Sequence, residues 1–447
     1  MPLPRDFVIG TATASYQVEG ATTEDGRGPS IWDTFAAQPG TIIDGTDGSV
    51  ADDQYHRYAD DVALMAGLGI DAYRFSIAWP RIQPDGTGKP QQAGIDFYRR
   101  LSEALLERDI TPWATLYHWD LPQALEDQGG WLNRDTAERF AEYSALVQDG
   151  IGDLIKNWIT LNEPWCSAFL GYAAGVHAPG KQLGSQAAYA AHHLLLGHGL
   201  ATQALRRDVD ARVGVTLNLY SVRPATDSPT DVDAARKIDG LGNRFFLEPV
   251  LTGRYPDDVL ADLGEQPWFA ERVDDLDTIE QPLDFLGINY YSRHTVAAGQ
   301  RVDGPTANPG SEDVIFVDTG APKTDMGWEI HPDGLIDVIR QAHAYAPELG
   351  IYVTENGSAW PDQLLDGVVA DQDRQQYLQD HLYACARAVA EGLPLRGYFA
   401  WSLLDNFEWA FGYSKRFGIV YVDYQTQVRT IKQSGRWLQQ FLTDRDS

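Results

Sequence analysis

The sequence predicts an α/β fold, a single (β/α)₈ barrel in which eight parallel strands close into a ring inside a layer of helices. Eight short runs rich in β-branched and aromatic residues recur along the 447 residues, and helix-like segments separate them. Strands that alternate with helices indicate a parallel sheet, and eight is the number that closes such a barrel. Because no Gly-, Ser- or Pro-rich linker divides the chain, we expect one domain over residues 1–447.

The predicted strands and helices alternate along the whole chain. The strands are residues 7–13, 71–77, 111–117, 157–163, 212–218, 283–291, 350–356 and 396–402. The helix-like segments between them include AGIDFYRRLSEALLERD and RDTAERFAEYSALVQDG, and several end in Gly, as helix C-termini tend to. Residues 300–326 are predicted to form a long loop after the sixth strand.

Each predicted strand ends on, or just before, a side chain suited to contact with a ligand. In a barrel of parallel strands all the carboxyl ends open on one face, and that face carries the active site. We therefore expect one cavity to collect Gln17, Arg74, His118, Asn162 with Glu163, Asn218, Tyr291, Glu355 and Trp401.

Composition and charge exclude several classes of protein. The chain has 35 basic and 64 acidic residues, and this net charge of −29 argues against a nucleic-acid partner. No run of 18 apolar residues indicates a membrane span. The first residues lack an apolar stretch of signal-peptide length, and Cys166 and Cys385 are the two cysteines. We therefore expect a cytoplasmic protein with reduced thiols.

Two predicted strands end on a glutamate, in NWITLNEP and in GIYVTENG. Two carboxyl groups on opposite sides of a glycosidic bond supply the proton and the anion that its cleavage needs. Glu163 and Glu355 lie on the fourth and seventh strands, so they can face each other at the ~5 Å spacing of retaining enzymes. A neighbouring Arg74 and a tyrosine at the end of the sixth strand would keep one carboxylate ionised, while the other has a raised pKa. The residues alone do not decide which glutamate has which role, and two unrelated edge carboxylates are the alternative.

Other motifs in the sequence indicate no cofactor. The histidines of AAHHLLLGHGLA lie in an apolar helix-like stretch without an HExxH pattern, so we interpret them as packed or surface residues. DGTGKP lacks the upstream glycine of a phosphate-binding loop, and no Gly-rich dinucleotide fingerprint follows the first strand. We expect neither a metal nor an organic cofactor.

Longer segments give the chain a resemblance to a known family. They are FVIGTATASYQVEGA, YRFSIAWPRIQP, LYHWDLPQAL, TLNEPW, GINYYS, MGWEIHPDGL, YVTENG and WSLLDNFEWAFGYSKRFGIVYVD. With these segments the chain resembles the family 1 glycoside hydrolases, the β-glucosidase group of retaining enzymes, over essentially its whole length. That resemblance also implies a (β/α)₈ barrel.

The resemblance implies a role for each matching residue. Glu163 matches the acid/base, Glu355 the nucleophile, and Asn162 the residue that hydrogen-bonds the sugar 2-hydroxyl. Arg74 and Tyr291 match the residues that orient the nucleophile. The set that grips the non-reducing sugar corresponds to Gln17, His118, Trp401, Glu408 and Trp409, and Trp328 matches a wall of the leaving-group site.

The implied activity is hydrolysis of terminal β-glucosides, with galactosides or fucosides cleaved less well. Substrates would be small β-glucosides and cello-oligosaccharides, and Glu408 would repel the phosphate of a 6-phospho-sugar. Two alternatives remain open, a transglycosylating β-glycosidase and a sugar-binding barrel without turnover. The sequence does not choose between a monomer and a homo-oligomer.

Overall fold

The computed structural model describes residues 3–300 and 303–446 and confirms the predicted barrel. The strands of this part of the chain are β1 (Val8–Ala12), β2 (Ala72–Ser76), β3 (Thr111–Tyr117), β4 (Asn157–Asn162), β5 (Arg212–Asn218), β6 (Ser221–Pro224), β7 (Phe285–Asn289), β8 (Arg293–Ala298), β9 (Val314–Phe316), β10 (Gly350–Asn356), β11 (Leu395–Trp401), β12 (Val420–Val422) and β13 (Arg429–Ile431). The closed ring runs β1-β2-β3-β4-β5-β7-β10-β11 and returns to β1. Every neighbouring pair in the ring is parallel, so all eight carboxyl ends share one face.

Helices cover the outside of the ring and connect its strands. They are α1 (Ser15–Val18), α2 (Ile31–Ala36), α3 (Gln54–Leu68), α4 (Trp79–Ile82), α5 (Gln92–Leu106), α6 (Gln123–Glu126), α7 (Asp135–Ile151), α8 (Ala187–Leu205), α9 (Pro229–Asp239), α10 (Phe245–Thr252), α11 (Asp257–Leu263), α12 (Gln266–Ala270), α13 (Leu276–Ile279), α14 (Pro332–Tyr345), α15 (Gln372–Ala390) and α16 (Gln433–Asp446). Two π-helical segments, Cys166–Ala174 and Gly240–Arg244, follow strands β4 and β6. In the described part of the chain, no helix combines the length and the apolar character that crossing a membrane requires.

Helix α5 is an example of an amphipathic outer helix, as its sequence spacing predicts. Helix α5 buries Ile95, Tyr98, Leu101 and Leu105, which recur every three or four residues and so form one stripe. That stripe faces the strands. The charged residues between its members are partly or fully exposed, namely Asp96, Arg99, Arg100 and Glu103.

Aromatic rings fill the barrel below its carboxyl-terminal face. Trp113 lies at the centre, with ring centroids 4.9 Å from Phe285, 4.8 Å from Tyr352 and 5.3 Å from Phe399. Glycine makes room for these rings, since a Cβ at Gly10 would lie 2.6 Å from the Phe399 ring. These four aromatic residues, called the floor cluster below, close the bottom of the barrel.

A small sheet outside the ring corrects one expectation. Strands β6, β8 and β9 form a three-stranded sheet, in which β9 pairs antiparallel with β8. Strand β9 lies within residues 300–326, so the prediction of a continuous loop there was wrong, apart from residues 301–302, which lie outside the described chain. The sequence pattern of this strand is weak, because β9 has three residues and two of them, Ile315 and Phe316, are exposed.

Candidate active site

A cavity of about 330 Å³ opens at the carboxyl-terminal face of the ring. Nine of the side chains named from the sequence line it directly, namely Glu163, Glu355, His118, Asn218, Tyr291, Trp328, Trp401, Glu408 and Trp409. Gln17, Arg74 and Asn162 lie immediately behind this wall and contact residues that line it.

Glu355 reaches the cavity because strand β10 is irregular. The ladder with β7 shifts register between Val353 and Glu355, and the ladder with β11 shifts between Val353 and Asn356. With strict alternation, Glu355 would point to the opposite face from Thr354, yet both side chains contact residues inside the barrel. A bulge of this kind re-aims a side chain, and here it turns the carboxylate inward.

Glu163 is positioned by a backbone conformation that few residues adopt. It follows the last residue of β4 and has a φ of 48°, in the left-handed region. The ladder between β4 and β5 is also irregular between Ile159 and Asn162. Backbone strain of this sort concentrates at functional sites, where the surrounding structure holds it.

Glu355 is held by a cation and a phenol. Arg74 Nη1 donates to Glu355 Oε1 at 2.6 Å, and the Tyr291 hydroxyl donates to Oε2 at 2.8 Å. Arg74 is the third of the five residues of β2, so it reaches the centre by its long side chain and not from the strand end that the sequence indicated. Its other terminal nitrogen, Nη2, donates to Asn162 Oδ1 at 2.6 Å.

Asn289 connects the two glutamates. Its Nδ2 donates to Glu163 Oε1 at 2.8 Å and to Asn162 Oδ1 at 3.0 Å, and its side chain lies near enough to Glu355 to lower the pKa of that carboxyl. Thr354 Oγ1 donates to Asn289 Oδ1 at 2.7 Å, which fixes the amide so that its nitrogen faces the carboxylates. Sequence reasoning missed Asn289, although it ends strand β7, because the two tyrosines that follow it drew the prediction to Tyr291.

The two carboxyl groups differ in their electrostatic surroundings. Burial and, after it, the charge of Glu355 together raise the pKa of Glu163 to about 8, against the opposing effects of Asn289, Cys166 and Arg74. Burial also leaves the pKa of Glu355 above its usual value, but the charge of Arg74 and hydrogen bonds from Tyr291 and Arg74 offset part of that rise. One carboxyl is therefore suited to carrying a proton, and the other to remaining an anion.

Two buried polar atoms at or just behind the inner wall of the cavity lack a hydrogen-bond partner among the described residues. Asn162 Nδ2 and His118 Nε2 are 3.1 Å apart, so the ring nitrogen accepts and His118 carries its proton on Nδ1. Burial lowers the pKa of His118 well below its usual value, and its Nδ1 has no partner among the described residues. Gln17 Oε1 is likewise without a partner in the described chain, while its Nε2 donates to Phe407 O at 2.8 Å. A donor and an acceptor are thus available to a polyhydroxylated ligand.

Glu408 adds a third carboxyl group to the cavity. It is 9% exposed, and burial raises its pKa to about 8, helped by the charges of Glu355 and Glu163. A hydrogen bond from Gln17 acts in the opposite direction.

Aromatic rings form the remaining walls. Trp401 and Trp409 flank His118, each with its ring centroid 5.9 Å from the imidazole and an interplanar angle of 18°. On the outer side Trp328 lies 5.3 Å from Tyr291 and 6.0 Å from Phe417, ring centroid to ring centroid. Flat apolar walls with convergent polar groups suit a sugar, whose ring has CH faces and a polar edge.

The histidines outside the cavity have other partners. His192 contacts Tyr255 and Asp275, His193 contacts the carbonyl of Trp131, and His198 contacts Thr160. Within residues 3–300 and 303–446, no group of three or more His, Cys, Asp or Glu side chains is arranged to hold a metal ion.

Known proteins match this chain over its full length. The family model described as glycosyl hydrolase family 1 matches residues 1–447. A bifunctional β-D-glucosidase/β-D-fucosidase of Bifidobacterium breve is 49% identical, with 99% of each chain aligned. β-Glucosidase A of Thermotoga maritima is 47% identical, over 97% of this chain and 96% of that protein.

A solved structure shares both sequence and fold. The crystal structure of a psychrophilic β-glucosidase from Micrococcus antarcticus matches with a TM-score of 0.95 and 47% identity, covering 100% of this chain and 98% of that one. Since the family model, the relatives and the fold agree over the whole length, the chain belongs to glycosyl hydrolase family 1.

Proposed function

We propose that the protein is a retaining β-glucosidase, with the whole chain as one catalytic domain. The observation that carries the proposal is the unequal treatment of the two glutamates. Arg74 and Tyr291 both bond Glu355, whereas burial and the neighbouring charge raise the pKa of Glu163 to about 8. This division supports Glu355 as the nucleophile and Glu163 as the acid/base.

The reaction would proceed by two displacements at the anomeric carbon. In the first, a carboxylate oxygen of Glu355 bonds to that carbon while Glu163 gives its proton to the departing oxygen. In the second, Glu163 takes a proton from water, the water oxygen bonds to the anomeric carbon, and Glu355 leaves as a carboxylate. Two inversions return the β configuration.

The short bridge between the carboxyl groups supports retention. One amide, that of Asn289, donates to Glu163 at 2.8 Å and also lowers the pKa of Glu355, so both carboxyl groups lie close to it. Inverting enzymes separate their carboxyl groups by about 6.5–9.5 Å to admit a water between them, whereas retaining enzymes use about 5–5.5 Å.

The polar groups of the inner cavity favour binding of a terminal β-D-glucosyl unit, which is the unit that the enzyme would release. His118 Nδ1 can donate to a hydroxyl, Gln17 Oε1 can accept from one, and the two oxygens of Glu408 can serve two more. A carboxyl at this position disfavours a phosphorylated sugar. One relative bears the name of a β-fucosidase as well, which supports a weaker activity on β-fucosides.

The outer cavity supports small leaving groups such as a second glucose or an aryl group, with Trp328 as one wall. A relative from Thermotoga neapolitana named 1,4-β-D-glucan glucohydrolase supports cello-oligosaccharides among the substrates. We further propose that the protein acts in the cytoplasm, since both of its cysteines are free and buried.

Azide rescue tests both roles with an aryl β-glucoside as substrate. Wild-type enzyme is expected to release the phenol with retention of configuration, and Glu355→Gly to lose this activity. Azide added to Glu355→Gly should restore phenol release and give α-glucosyl azide, because the anion replaces the nucleophile from the opposite face. Azide added to Glu163→Ala should instead give β-glucosyl azide, because the glycosyl-enzyme still forms.

Three results would contradict the proposal. If Glu355→Gly gave β-glucosyl azide and Glu163→Ala gave α-glucosyl azide, the roles of Glu163 and Glu355 would be reversed. Wild-type enzyme that binds glucosides without turnover would be a sugar-binding barrel. Product that consists mainly of new glycosides at low acceptor concentration would indicate a transglycosylase.

A further inference from the structure

The thiol of Cys166 contacts the carboxyl group that we assign as the acid/base. Cys166 Sγ lies 3.3 Å from Glu163 Oε2, and the residue is 7% exposed and lines the cavity. The turn between the two residues is fixed, because the backbone N–H of Cys166 donates to the carbonyl of Glu163 at 3.0 Å. The thiol therefore has a polar contact inside the cavity wall.

The two oxygens of Glu163 are not equivalent. Oε1 accepts from Asn289 Nδ2 at 2.8 Å, and Asn289 cannot turn its oxygen there because Thr354 Oγ1 already donates to that oxygen at 2.7 Å. An oxygen that faces a fixed donor does not carry the acid proton. The proton of neutral Glu163 is therefore on Oε2, the oxygen beside the thiol.

A neutral thiol can serve both protonation states of its neighbour. Burial raises the pKa of Cys166 well above its usual value, and the charge of Glu163 adds to this, so the thiol keeps its proton. A thiol is a weak donor and a weak acceptor. It can donate S–H to ionised Oε2 and accept O–H from protonated Oε2, without any proton passing to sulfur.

We propose that Cys166 is a positioning residue for the acid/base: its thiol holds Oε2 of Glu163 in place in both protonation states and sets the pH at which Glu163 titrates. The expected effect of Cys166 on catalysis rests on the proposed function. Its effect on the titration of Glu163 does not depend on turnover.

The first test is the pH profile of kcat/KM for phenyl β-D-glucoside, whose poor leaving group needs a proton. The S–H bond favours the carboxylate, so its removal in Cys166→Ala raises the pKa of Glu163. The alkaline limb should then move to higher pH by about half a unit, which is about 3-fold at a fixed pH on that limb. Cys166→Ser retains a hydrogen-bond donor, so its alkaline limb should stay at the wild-type pH or move to lower pH.

The substrate comparison separates positioning from general damage. In Cys166→Ala, kcat/KM for the phenyl glucoside should fall about 3- to 10-fold, because an unsupported Oε2 is aimed less well. The value for 2,4-dinitrophenyl β-D-glucoside, whose leaving group needs no proton, should stay within 2-fold. Cys385→Ala is the matched control, since Cys385 is buried in helix α15 away from the cavity and should change neither value.

The second test measures the titration of Glu163 directly. Enzyme labelled with carbon-13 at the glutamate carboxyl carbon gives a Glu163 signal that is assigned by its loss in Glu163→Gln. The titration midpoint should rise in Cys166→Ala and not in Cys385→Ala. Equal midpoints in wild type and Cys166→Ala, with equal alkaline limbs, would overturn the inference even if the enzyme is a β-glucosidase. A shifted midpoint without any turnover would support the thiol contact while the proposed function fails.

Discussion

Two buried regions of this molecule each collect three carboxyl groups, and they treat them in opposite ways. In the cavity, Glu163, Glu355 and Glu408 have Arg74 as the one cation that contacts them among residues 3–300 and 303–446. In a second region, called the ion-pair network, three aspartates meet three cations. Its members are Asp362, Asp371, Asp405, Arg374, Arg416 and Lys432.

In the ion-pair network each aspartate is paired with at least one of the three cations. Lys432 is fully buried and donates to Asp362 at 2.5 Å and to Asp405 at 2.6 Å, and Arg374 bonds Asp362 at 2.7 Å. Burial raises the pKa of Asp362, but Lys432 and Arg374 more than compensate and hold it below its usual value. In the cavity, burial raises the pKa values of Glu163 and Glu408 to about 8. Burial is common to both regions, so the balance of charge is what separates a structural network from a reactive site.

The largest effect is expected from removing a cation from the ion-pair network. Arg374→Met leaves the buried carboxylates of Asp371 and Asp362 short of a partner, and breaking such a pair costs about 3–5 kcal/mol. The free energy of unfolding, measured with urea, should fall by that amount, while kcat of the folded enzyme changes little. Arg374→Lys keeps the charge and should lose less. An unchanged free energy of unfolding in Arg374→Met would contradict the distinction drawn between the two regions.

The equivalent change in the cavity should act on catalysis more than on stability. Arg74→Met removes the cation from Glu355, so the pKa of that carboxyl rises and less of it is ionised at neutral pH. We expect kcat/KM to fall about 100-fold or more, with its acidic limb moved to higher pH. The pH profile with an aryl glucoside measures both. An unchanged acidic limb would show that Arg74 does not set the charge of Glu355.

The most gradual effect, small at any one step in pH, is a dependence of stability on pH that the cavity should produce. Glu408 has a folded-state pKa of about 8, above its usual 4.5, so the folded state binds the proton more tightly than the unfolded state does. Stability from this group is complete below pH 4.5 and is lost as the pH rises through 8. Each such group contributes a slope of up to about 1.4 kcal/mol per pH unit in that window.

Glu408→Gln removes that slope contribution. Urea unfolding between pH 5 and pH 8 should therefore give a flatter curve for the variant than for the wild type. Glu142→Gln is the control, because this carboxyl is 54% exposed on helix α7 and should leave the curve unchanged. Parallel curves for Glu408→Gln and wild type would contradict the raised pKa.

The fold was predictable because its signals are periodic and repeated. All eight predicted barrel strands are present, and most bounds agree within one or two residues, as for residues 111–117, which match β3, and residues 350–356, which match β10. Parallel strands buried on both faces are read as continuous apolar runs, and this chain has them. Strand β9 was missed because three residues carry too little pattern.

The candidate site was predictable in its membership but not in its geometry. Strand ends and family motifs name Glu163, Glu355 and their neighbours, yet strict alternation along β10 would turn Glu355 away from Thr354 and out of the barrel. The register shifts that bring it inward depend on pairing between distant strands, which no local pattern reports. Asn289 was missed for a related reason, since its importance comes from contacts with residues over 60 positions away along the chain.

The floor cluster gives the cavity a single mouth. Trp113, Phe285, Tyr352 and Phe399 block the barrel below the carboxyl groups, so a bound chain cannot thread through it. A substrate must enter with its non-reducing end first and lose one unit at a time from that end. On the proposed function, the leaving group must depart before the glucose beneath it, and the glucose holds the site closed to the next substrate until it leaves. Inhibition by free glucose is therefore expected to be competitive, as a property of a dead-end chamber.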